Sequence, residues 1–521
     1  MYVPGMVELG FWKFAQENPN HTAVITAEGE KVSAGALLAS ANQVVHGLRA
    51  MGLKKGDSIA IMLPNSTEVF ELFMAAAQAG WYVTPVNWHL AAPEIAYIVK
   101  DCGAKAVVCS SRFADNAVKA CDSLEFPTEA RFCVGDVDGF RPYAELKNGQ
   151  PTSLPEDRAA GGPMTYTSGT TGNPKGVRRP MANATPEAVS SMQAMFLALF
   201  GMMPGSKGVH LVVAPTYHTA VLNFSTNHLH LGHTIVLMDK WTPEGTLELI
   251  QEYKVTNSHM VPTQFNRLLK LPEAIRSKYD VSSLSHMIHS AAPCPIETKQ
   301  KMLDWWGPCI YEYYAASEGG GTLVTPEQWL AKPGTVGLPW PISTIRILDD
   351  EHQPCAANDV GTVWIRMGEH KFEYHQDEKK TGDAWKDGFF TVGDAGYLDE
   401  DGYLFLCDRK ADMIISGGVN IYPAEIESVF ITHPKVADVA VFGIPDEDWG
   451  EQVKAVIQPV SGISSGPDLA AELLTFAVER LAKYKLPKSF DWSEQLPRDP
   501  NGKLYKRKLR DPYWTGRNTA I

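Results

Sequence analysis

Residues 167–176 read TSGTTGNPKG, a segment that combines three glycines, four hydroxyl side chains and one lysine. Glycines let the backbone approach a ligand closely, so that amide N–H groups can surround phosphate oxygens, and Lys175 adds a positive charge. The segment is not the common G-x-x-x-x-G-K-[ST] loop, because Pro174 precedes the lysine and Gly176 follows it. We interpret it as a phosphate-binding loop, with a flexible surface loop as the alternative.

Short apolar strands and helices alternate on both sides of this loop. Before it, the pattern predicts helices over 8–18, 33–52, 68–80 and 93–102, and strands over 58–63, 82–86 and 104–109. After it, strands are predicted over 208–214, 234–237 and 258–261. Alternation of this kind requires crossover connections, so we expect an α/β fold with mostly parallel sheets flanked by helices.

The texture changes towards the C-terminus. Shorter strands over 343–348 and 361–366 predict an additional β-rich subdomain. From residue 408 onward the pattern is β-α-β-β, with strands over 413–415, 436–443 and 453–460 and a helix over 424–431. We therefore expect a large N-terminal domain, residues 1–408, and a small α+β C-terminal domain, residues 409–521.

Length and charge limit the class of protein. A chain of 521 residues exceeds the roughly 250–300 residues that one core supports, so more than one domain is expected. The formal net charge of −13 argues against nucleic acid or an anionic membrane as the main partner. The longest apolar run, residues 194–203, is half of the roughly 20 residues that a membrane span needs. Charged residues near the N-terminus argue against a signal peptide, so a cytoplasmic protein is expected.

The eight cysteines form no C-x-x-C pair, which favours reduced thiols over a disulfide framework. Several histidines lie close together in the sequence, namely His210, His218, His228, His230 and His233. Their spacing fits no compact ligand set, so we do not expect a metal site there.

Four further motifs lie downstream of the glycine-rich loop. They are the aromatic and acidic segment 313–320, the Thr391–Asp394 turn, the glycine-rich turn in 416–423, and the basic segment 496–503. A carboxylate such as Glu318 suits Mg²⁺, and an aspartate at a strand end can accept hydrogen bonds from a ribose. Taken singly, each also fits an ordinary core tyrosine, turn aspartate or solvated basic tail.

In their joint order and spacing, the five motifs resemble the adenylate-forming superfamily of acyl-CoA synthetases, luciferases and nonribosomal-peptide adenylation domains. The resemblance covers roughly residues 8–512, and the segment 417–425 looks most like bacterial acyl-CoA ligases. The chain as a whole is most similar in appearance to bacterial fatty- or sterol-acyl-CoA ligases. It implies that ATP and a carboxylic acid give acyl-AMP and pyrophosphate, after which the thiol of CoA displaces AMP. ATP, CoA and Mg²⁺ are the implied cofactors, and the small C-terminal domain is expected to be mobile.

The resemblance implies a set of nucleotide contacts. Residues expected to bind ATP or AMP are Thr167, Ser168, Gly169, Thr170, Thr171, Gly172, Lys175, Tyr314, Ser317, Asp394 and Arg409. Within that set, the resemblance implies that Tyr314 stacks on adenine and that Asp394 and Arg409 contact the ribose. Thr170 is also an expected Mg²⁺ contact.

Three residues are expected to be catalytic by the same resemblance. Lys503 reaches the α-phosphate and the substrate carboxylate, Glu318 holds Mg²⁺, and His218 gates the acyl pocket. The other expected pocket residues are Phe265, Ala291, Ala292 and Pro293. Gly417 and Gly418 are expected to line the CoA channel, with Trp449 beside it.

This sequence departs from the superfamily pattern at three places. Ala411 stands where a hinge Asp or Lys is usual, Ala291 and Ala292 replace a glycine pair, and residues 314–318 read YAASE where YGxTE is usual. The extra methyl groups are expected to reshape the acyl channel. The last change keeps the hydroxyl and the carboxylate, so metal binding is expected to survive.

The acid is not named by the sequence. An apolar pocket predicts a fatty, aryl or steroid-side-chain acid. Three other readings stay open: an enzyme that loads the acyl group onto a carrier protein, a catalytically silent binding relative, and a luciferase-like monooxygenase. The oligomeric state is not readable, with a homodimer among the alternatives.

Overall fold

The computed structural model of the chain describes residues 9–167, 174–316, 318–368, 372–375, 378–498 and 504–515. Its largest sheet is parallel at the centre and antiparallel at both edges. In spatial order its strands are Leu338–Pro339, Gly321–Val324, Ile310–Ala315, His286–His289, Asn257–Met260, Val209–Val212, Thr234–Leu237, Thr22–Ile25 and Lys31–Ser33.

A second sheet is parallel throughout the pairs that the structure describes. Its strands, in order, are Arg141–Pro142, Arg131–Val134, Ala104–Ser110, Ser58–Met62, Tyr82–Pro85 and Gly162–Pro163. The central strand Ser58–Met62 is buried along its whole length. A parallel strand with both faces covered reads as a continuous apolar run, which is why the segment was recognisable in the sequence.

Helices cover these sheets. They are Phe11–Glu17, Ala34–Ala50, Thr67–Ala79, Ala92–Asp101, Ala114–Ser123, Tyr143–Lys147, Pro186–Ala194, Thr219–His230, Pro243–Tyr253, Pro262–Leu269, Glu273–Arg276, Ile296–Trp306 and Pro326–Ala331. Short 3₁₀ segments are Ser111–Phe113, Thr128–Ala130 and Met195–Phe200. The predicted helix over 68–80 is confirmed, and it ends at Gly80, whose φ of 73° suits a glycine. The expected parallel α/β architecture is therefore confirmed.

A β-rich unit follows, as predicted. Its antiparallel sheet contains Ser343–Leu348, Gly361–Met367, Trp385–Lys386, Phe389–Phe390, Asp394–Leu398 and Leu404–Arg409. The helix Glu378–Ala384 lies beside it. A small antiparallel sheet joins Glu373–Tyr374, Lys175–Arg178 and Thr165–Thr167, so this unit reaches back to both sides of the glycine-rich loop.

The C-terminal part has its own sheet and its own core. Its strands are Val419–Ile421, Ile414–Ser416, Gly450–Pro459, Val436–Asp446 and Ser489–Trp492. Its helices are Pro423–Phe430, Pro467–Val478 and Lys506–Trp514, and its 3₁₀ segments are Lys410–Asp412 and Lys483–Lys485. Apolar side chains such as Ile426, Phe430 and Leu473 are buried together there. The predicted α+β C-terminal unit is confirmed.

Three findings complete the architecture. The edge strands Thr22–Ile25 and Lys31–Ser33 were not predicted, since three to four residues give little periodicity. All eight cysteines are unpaired, and five of them are buried: Cys102, Cys109, Cys121, Cys133 and Cys309. Within the described ranges, no helix has both the length and the apolar character required to cross a membrane.

Candidate active site

Most of the predicted site residues that the structure describes in the N-terminal part gather at one edge of the large sheet. The neighbouring parallel strands Val209–Val212, Asn257–Met260, His286–His289 and Ile310–Ala315 all end there. His218 follows the first strand, Ala291 and Ala292 follow the third, and Tyr314 lies at the end of the fourth. Ligands of open α/β sheets bind at the carboxyl ends of the strands, so this edge is where a site is expected.

Tyr314, Asp394 and Arg409 meet across two sheets. The Tyr314 hydroxyl donates to Oδ2 of Asp394 at 2.6 Å. Arg409 Nε lies 3.7 Å from Oδ1 of the same carboxylate, because the two residues are register partners on adjacent strands. Burial and the Asp394 carboxylate raise the pKa of Tyr314 well above its usual value, so the phenol stays protonated. Three predicted nucleotide contacts are thus brought together.

Glu318 is anchored by a residue that the sequence did not single out. The Tyr374 hydroxyl donates to Glu318 Oε1 at 2.7 Å. Lys175 Nζ lies 5.8 Å from the centre of the Tyr374 ring, within cation–π range. Tyr374 comes from the strand that pairs with Lys175–Arg178. The carboxylate and the lysine therefore share one aromatic neighbour.

The two strands that flank residues 168–173 pair with each other. Lys175 pairs with Thr167, and the pairing is antiparallel. Several predictions lie outside the described residues, namely Ser168, Gly169, Thr170, Thr171, Gly172, Ser317 and Lys503, as does the side chain of Thr167.

His218 is held by its loop and by a distant asparagine. Asn65 donates to the carbonyls of Ala214 and Met238, at 3.0 Å each, and accepts from the amide of Thr216 at 2.9 Å. His218 then forms the N-cap of helix Thr219–His230, and its ring lies 4.2 Å from that of Tyr217. The loop that carries the histidine is therefore fixed at the sheet edge.

The remaining predicted acyl residues divide into two groups. Ala291, Ala292 and Pro293 follow strand His286–His289 at the sheet edge, and Ala291 has a φ of 74°. Phe265 instead is fully buried, with its ring 5.3 Å from His289 and 6.2 Å from Trp306. The structure places Phe265 in the core between helix Pro262–Leu269 and the sheet.

Tyr313 and His259 are functional candidates that sequence reasoning missed. Side chains alternate along a strand, so Tyr313 projects to the face opposite Tyr314. There its hydroxyl lies 3.2 Å from His259 Nε2, which is also 3.0 Å from Ser290 Oγ. The alternation signal was present in the sequence, but the contact with His259 joins residues 54 positions apart.

A buried ion pair supports the ends of these strands. Lys299 Nζ donates to Glu312 Oε2 at 2.7 Å, and His289 Nε2 lies 3.3 Å from the same oxygen. Burial alone would raise the pKa of Glu312, but Lys299 and His289 outweigh it and lower that pKa to about 2. Helix Ile296–Trp306 is thereby fixed against the strand that carries Tyr314.

The C-terminal candidates Gly417, Gly418 and Trp449 also lie together. The glycines form the two-residue loop between strands Ile414–Ser416 and Val419–Ile421, with φ values of 58° and 79°. Positive φ at both positions is the requirement of a type I′ hairpin turn. The Gly417 amide donates to the Trp449 carbonyl at 2.8 Å, and the Trp449 side chain is 55% exposed.

The junction around Ala411 is tied to both flanking units. Asp408 Oδ2 accepts from the amide of Ala424 at 2.8 Å, and Lys410 forms an ion pair with Asp350. The predicted domain boundary at 408/409 thus falls at the end of strand Leu404–Arg409. In the part of the chain that the structure describes, no group of three or more His, Cys, Asp or Glu side chains is arranged to hold a metal ion.

Comparisons with known families match most of the chain. The sequence profile described as AMP-binding enzyme matches residues 11–371. The profile of the AMP-binding enzyme C-terminal domain matches residues 425–503. The two matches leave residues 372–424 between them, and this interval contains the predicted boundary.

Curated relatives and solved structures extend the comparison. The chain is 31% identical to fatty acid–[acyl-carrier-protein] ligase ScoC of Streptomyces coeruleorubidus, over 96% of this chain and 95% of that one. It is 33% identical to long-chain-fatty-acid–CoA ligase FadD13 of Mycobacterium tuberculosis, over 91% and 92%. The structure of o-succinylbenzoate CoA synthetase (MenE) from Bacillus subtilis, in complex with the acyl-adenylate intermediate OSB-AMP, matches with a TM-score of 0.80 and 28% identity, over 96% and 98%.

Proposed function

The chain belongs to the AMP-binding enzyme family of adenylate-forming enzymes, and on that premise we propose that it joins an apolar carboxylic acid to CoA through an acyl-adenylate. As an ATP-dependent carboxylate ligase it is an acyl-CoA synthetase of the AMP-forming type. The observation that carries the proposal is the Tyr314–Asp394–Arg409 contact at the carboxyl edge of the sheet. It supplies an aromatic face for a base beside a carboxylate for a ribose.

In the proposed first step, a carboxylate oxygen of the acid attacks the α-phosphorus of ATP. The bond between the α-phosphorus and the oxygen that bridges the α- and β-phosphates breaks, and pyrophosphate leaves. The protein's contribution is to position the reactants and stabilise charge that develops on the phosphates. We assign the phosphate contacts to the loop 167–175, and the contact with the α-phosphate and the carboxylate to Lys503.

Mg²⁺ fits the residues present. With ATP this ion typically binds through one or two carboxylates and the substrate phosphates, without a cage made of protein ligands alone. Glu318 offers such a carboxylate, oriented by the hydroxyl of Tyr374. We propose that Glu318 and Thr170 hold Mg²⁺, which would neutralise phosphate charge when bound.

In the proposed second step, the sulfur of CoA attacks the acyl carbon. The bond from that carbon to the AMP oxygen breaks, AMP leaves, and the thiol proton passes to solvent. We assign the channel for the pantetheine arm to the Gly417-Gly418 turn and Trp449. The exposure of Trp449 beside the Gly417-Gly418 turn supports this assignment.

A second candidate is supported by one observation. The relative ScoC is named a fatty acid–[acyl-carrier-protein] ligase and matches over 96% of this chain. An enzyme of that kind would form acyl-AMP and transfer the acyl group to a carrier protein without using free CoA.

We further propose a cytoplasmic location and a homodimer for this protein.

Separate assays of the two half-reactions test the proposed function. Lys503→Ala is expected to lower pyrophosphate release by about 10²–10³-fold, because it removes one preorganised donor at the charge that develops. The same variant is expected to keep forming thioester from supplied acyl-AMP and CoA. Lys508→Ala is the matched control, since this exposed lysine packs over Tyr505 and should leave both rates unchanged. Equal loss of both half-reactions in Lys503→Ala would contradict the assigned role.

A further inference from the structure

Three polar side chains from neighbouring strands meet beside the expected acyl pocket, and we call His259, Ser290 and Tyr313 the polar trio. His259 Nε2 lies 3.0 Å from Ser290 Oγ and 3.2 Å from the Tyr313 hydroxyl. The three residues are only 4%, 6% and 8% exposed. Ser290 directly precedes Ala291, so the trio adjoins the segment expected to contact the acid.

The polar trio has hydrogen-bonding capacity beyond these contacts. Burial lowers the pKa of His259 to about 3, so at neutral pH its ring has one donor and one acceptor nitrogen. Its Nδ1 is buried and has no hydrogen-bond partner among the described residues. A hydroxyl donates once and accepts twice, so Ser290 and Tyr313 also retain capacity. The Ser290 and Tyr313 hydroxyls can therefore each take a further hydrogen bond, which a polar group on a ligand would supply.

Aromatic rings surround the polar trio. Phe224 stacks on His259 with ring centres 4.9 Å apart and an interplanar angle of 26°. Phe196 and Phe200 pack against Phe224 edge to face, with centres 5.6 Å away in both cases. Flat rings accept further flat rings in offset or edge-to-face contact, so the surroundings favour an aromatic ligand.

The layer behind these rings is polar. Between helix Thr219–His230 and the sheet, His228 stacks on His210 at 4.2 Å and contacts His233, with their Nδ1 atoms 2.8 Å apart. His210 Nδ1 also lies 2.6 Å from Asn257 Oδ1. A long alkyl chain that entered this layer would separate polar partners and leave them facing hydrocarbon, which is costly. An acyl chain long enough to reach this layer is therefore disfavoured.

We propose that the polar trio closes the acyl pocket and selects an aryl acid whose ring carries a hydroxyl or carbonyl substituent, in preference to a long saturated fatty acid. This inference rests on the proposed function, because it names the acid for that same site. Tyr313 and Ser290 form hydrogen bonds with the substituent, and His259 orients both hydroxyls. Phe224 packs against the ring of the acid.

Matched pairs of acids test the inference. We would measure kcat/KM for pyrophosphate release with 4-hydroxycinnamate and cinnamate, 4-hydroxybenzoate and benzoate, and dodecanoate. The hydroxylated member of at least one pair is expected to be preferred by about tenfold or more, because the unsubstituted acid leaves buried polar groups unpaired. Tyr313→Phe is expected to remove about tenfold of that preference through KM, and to change the unsubstituted acid by less than about twofold.

Tyr311→Phe is the control variant. Tyr311 lies two residues earlier on the same face of the same strand and stacks on His286, so the same substitution should leave both acids unaffected. Dodecanoate as the best substrate, no preference within either pair, or equal loss on both acids in Tyr313→Phe would overturn the inference.

Calorimetric titration with the same acids separates this inference from the proposed function. Preferential binding of the hydroxylated acid without pyrophosphate release would contradict the function and leave the inference standing. Turnover of fatty acids without turnover of the aryl acids would support the proposed function and contradict the inference.

Discussion

Ala291 holds a left-handed backbone conformation, with φ at 74°, in the segment that follows strand His286–His289. For a residue with a Cβ this conformation costs about 1–2 kcal/mol, and glycine adopts it without that cost. The sequence pattern identified Ala291 and Ala292 as replacements of a glycine pair. The structure adds that only the first of them occupies a conformation that favours glycine.

Ala291→Gly is therefore expected to stabilise the protein by about 0.5–1 kcal/mol, after the entropy that glycine loses on folding is subtracted. Ala292→Gly, at a position without positive φ, is expected to destabilise it by a similar amount. Urea unfolding midpoints of the two variants measure the difference. Destabilisation by both substitutions would show that Ala291 is not strained.

Among individual site residues, those that belong to a motif could be identified from the sequence, and those that depend on a distant contact were missed. Tyr314 and Asp394 belong to recognisable motifs, and the structure joins them at 2.6 Å. Tyr374 was missed because its partner Glu318 is 56 positions away. Contacts at such separation depend on strand pairing, which one sequence does not specify.

Among the elements, the hairpin that carries Gly417 and Gly418 gives a matched pair of positions. Both glycines have positive φ, but only one has a close neighbour. A Cβ on Gly417 would lie 2.4 Å from the Trp449 ring, whereas a Cβ on Gly418 would meet nothing within 4 Å among the described residues. Both Gly417→Ala and Gly418→Ala place a Cβ on a residue with positive φ and so carry a similar torsional cost. Only Gly417→Ala also requires Trp449 to move.

Gly417→Ala is expected to slow thioester formation from supplied acyl-AMP by about tenfold more than Gly418→Ala, which corresponds to about 1.4 kcal/mol. Pyrophosphate release should stay unchanged in both variants, because neither glycine is assigned to the first step. Single-turnover assays of each half-reaction supply the rates. If the two variants behaved alike, the proposed role of Trp449 beside the CoA channel would be wrong.

The strength of a local pattern explains which elements were predictable. Buried strands such as Ser58–Met62, and helices that end at a glycine such as Thr67–Ala79, were predicted within a few residues. The long hairpin of Val436–Asp446 and Gly450–Pro459 extends beyond the predicted strands. Its extra residues lie at the turn, where pairing with the opposite strand, and not apolar periodicity, maintains the extended conformation.

For the molecule as a whole, the histidines buried between helix Thr219–His230 and the sheet link stability to pH. Burial lowers the pKa of His210 and of His233 to about 4 each, and places that of His228 well below its usual value. The unfolded chain binds protons at these histidines near pH 6.5, whereas the folded protein does not. The stability that these neutral histidines contribute to the folded protein is therefore fully present above pH 6.5. It is lost as the pH falls towards 4.

The free energy of unfolding is expected to fall between pH 6.5 and 5, with each of the three histidines contributing up to about 1.4 kcal/mol per pH unit. Denaturant titrations across this range measure the slope. His210→Gln removes one titrating group and should reduce the slope by up to about 1.4 kcal/mol per pH unit. A free energy that does not change between pH 6.5 and 5 would mean that these side chains are protonated in the folded protein.

The two-part organisation can be predicted from the sequence, but the contacts that hold the junction between the two parts cannot. The family profiles match residues 11–371 and 425–503, and the predicted boundary lies between them. Ala411 gave no sequence indication of how the junction is held. The Asp408–Ala424 hydrogen bond and the Lys410–Asp350 ion pair join segments 16 and 60 positions apart.

The central claim, that this protein forms an acyl-CoA through an acyl-adenylate, is tested most directly with the wild-type chain. Pyrophosphate release is measured across aryl, fatty and steroidal acids with and without CoA, and products are identified by mass. One acyl-CoA is expected for each pyrophosphate and each AMP formed. Pyrophosphate with accumulated acyl-AMP and no CoA thioester would contradict the claim and favour transfer to a carrier protein.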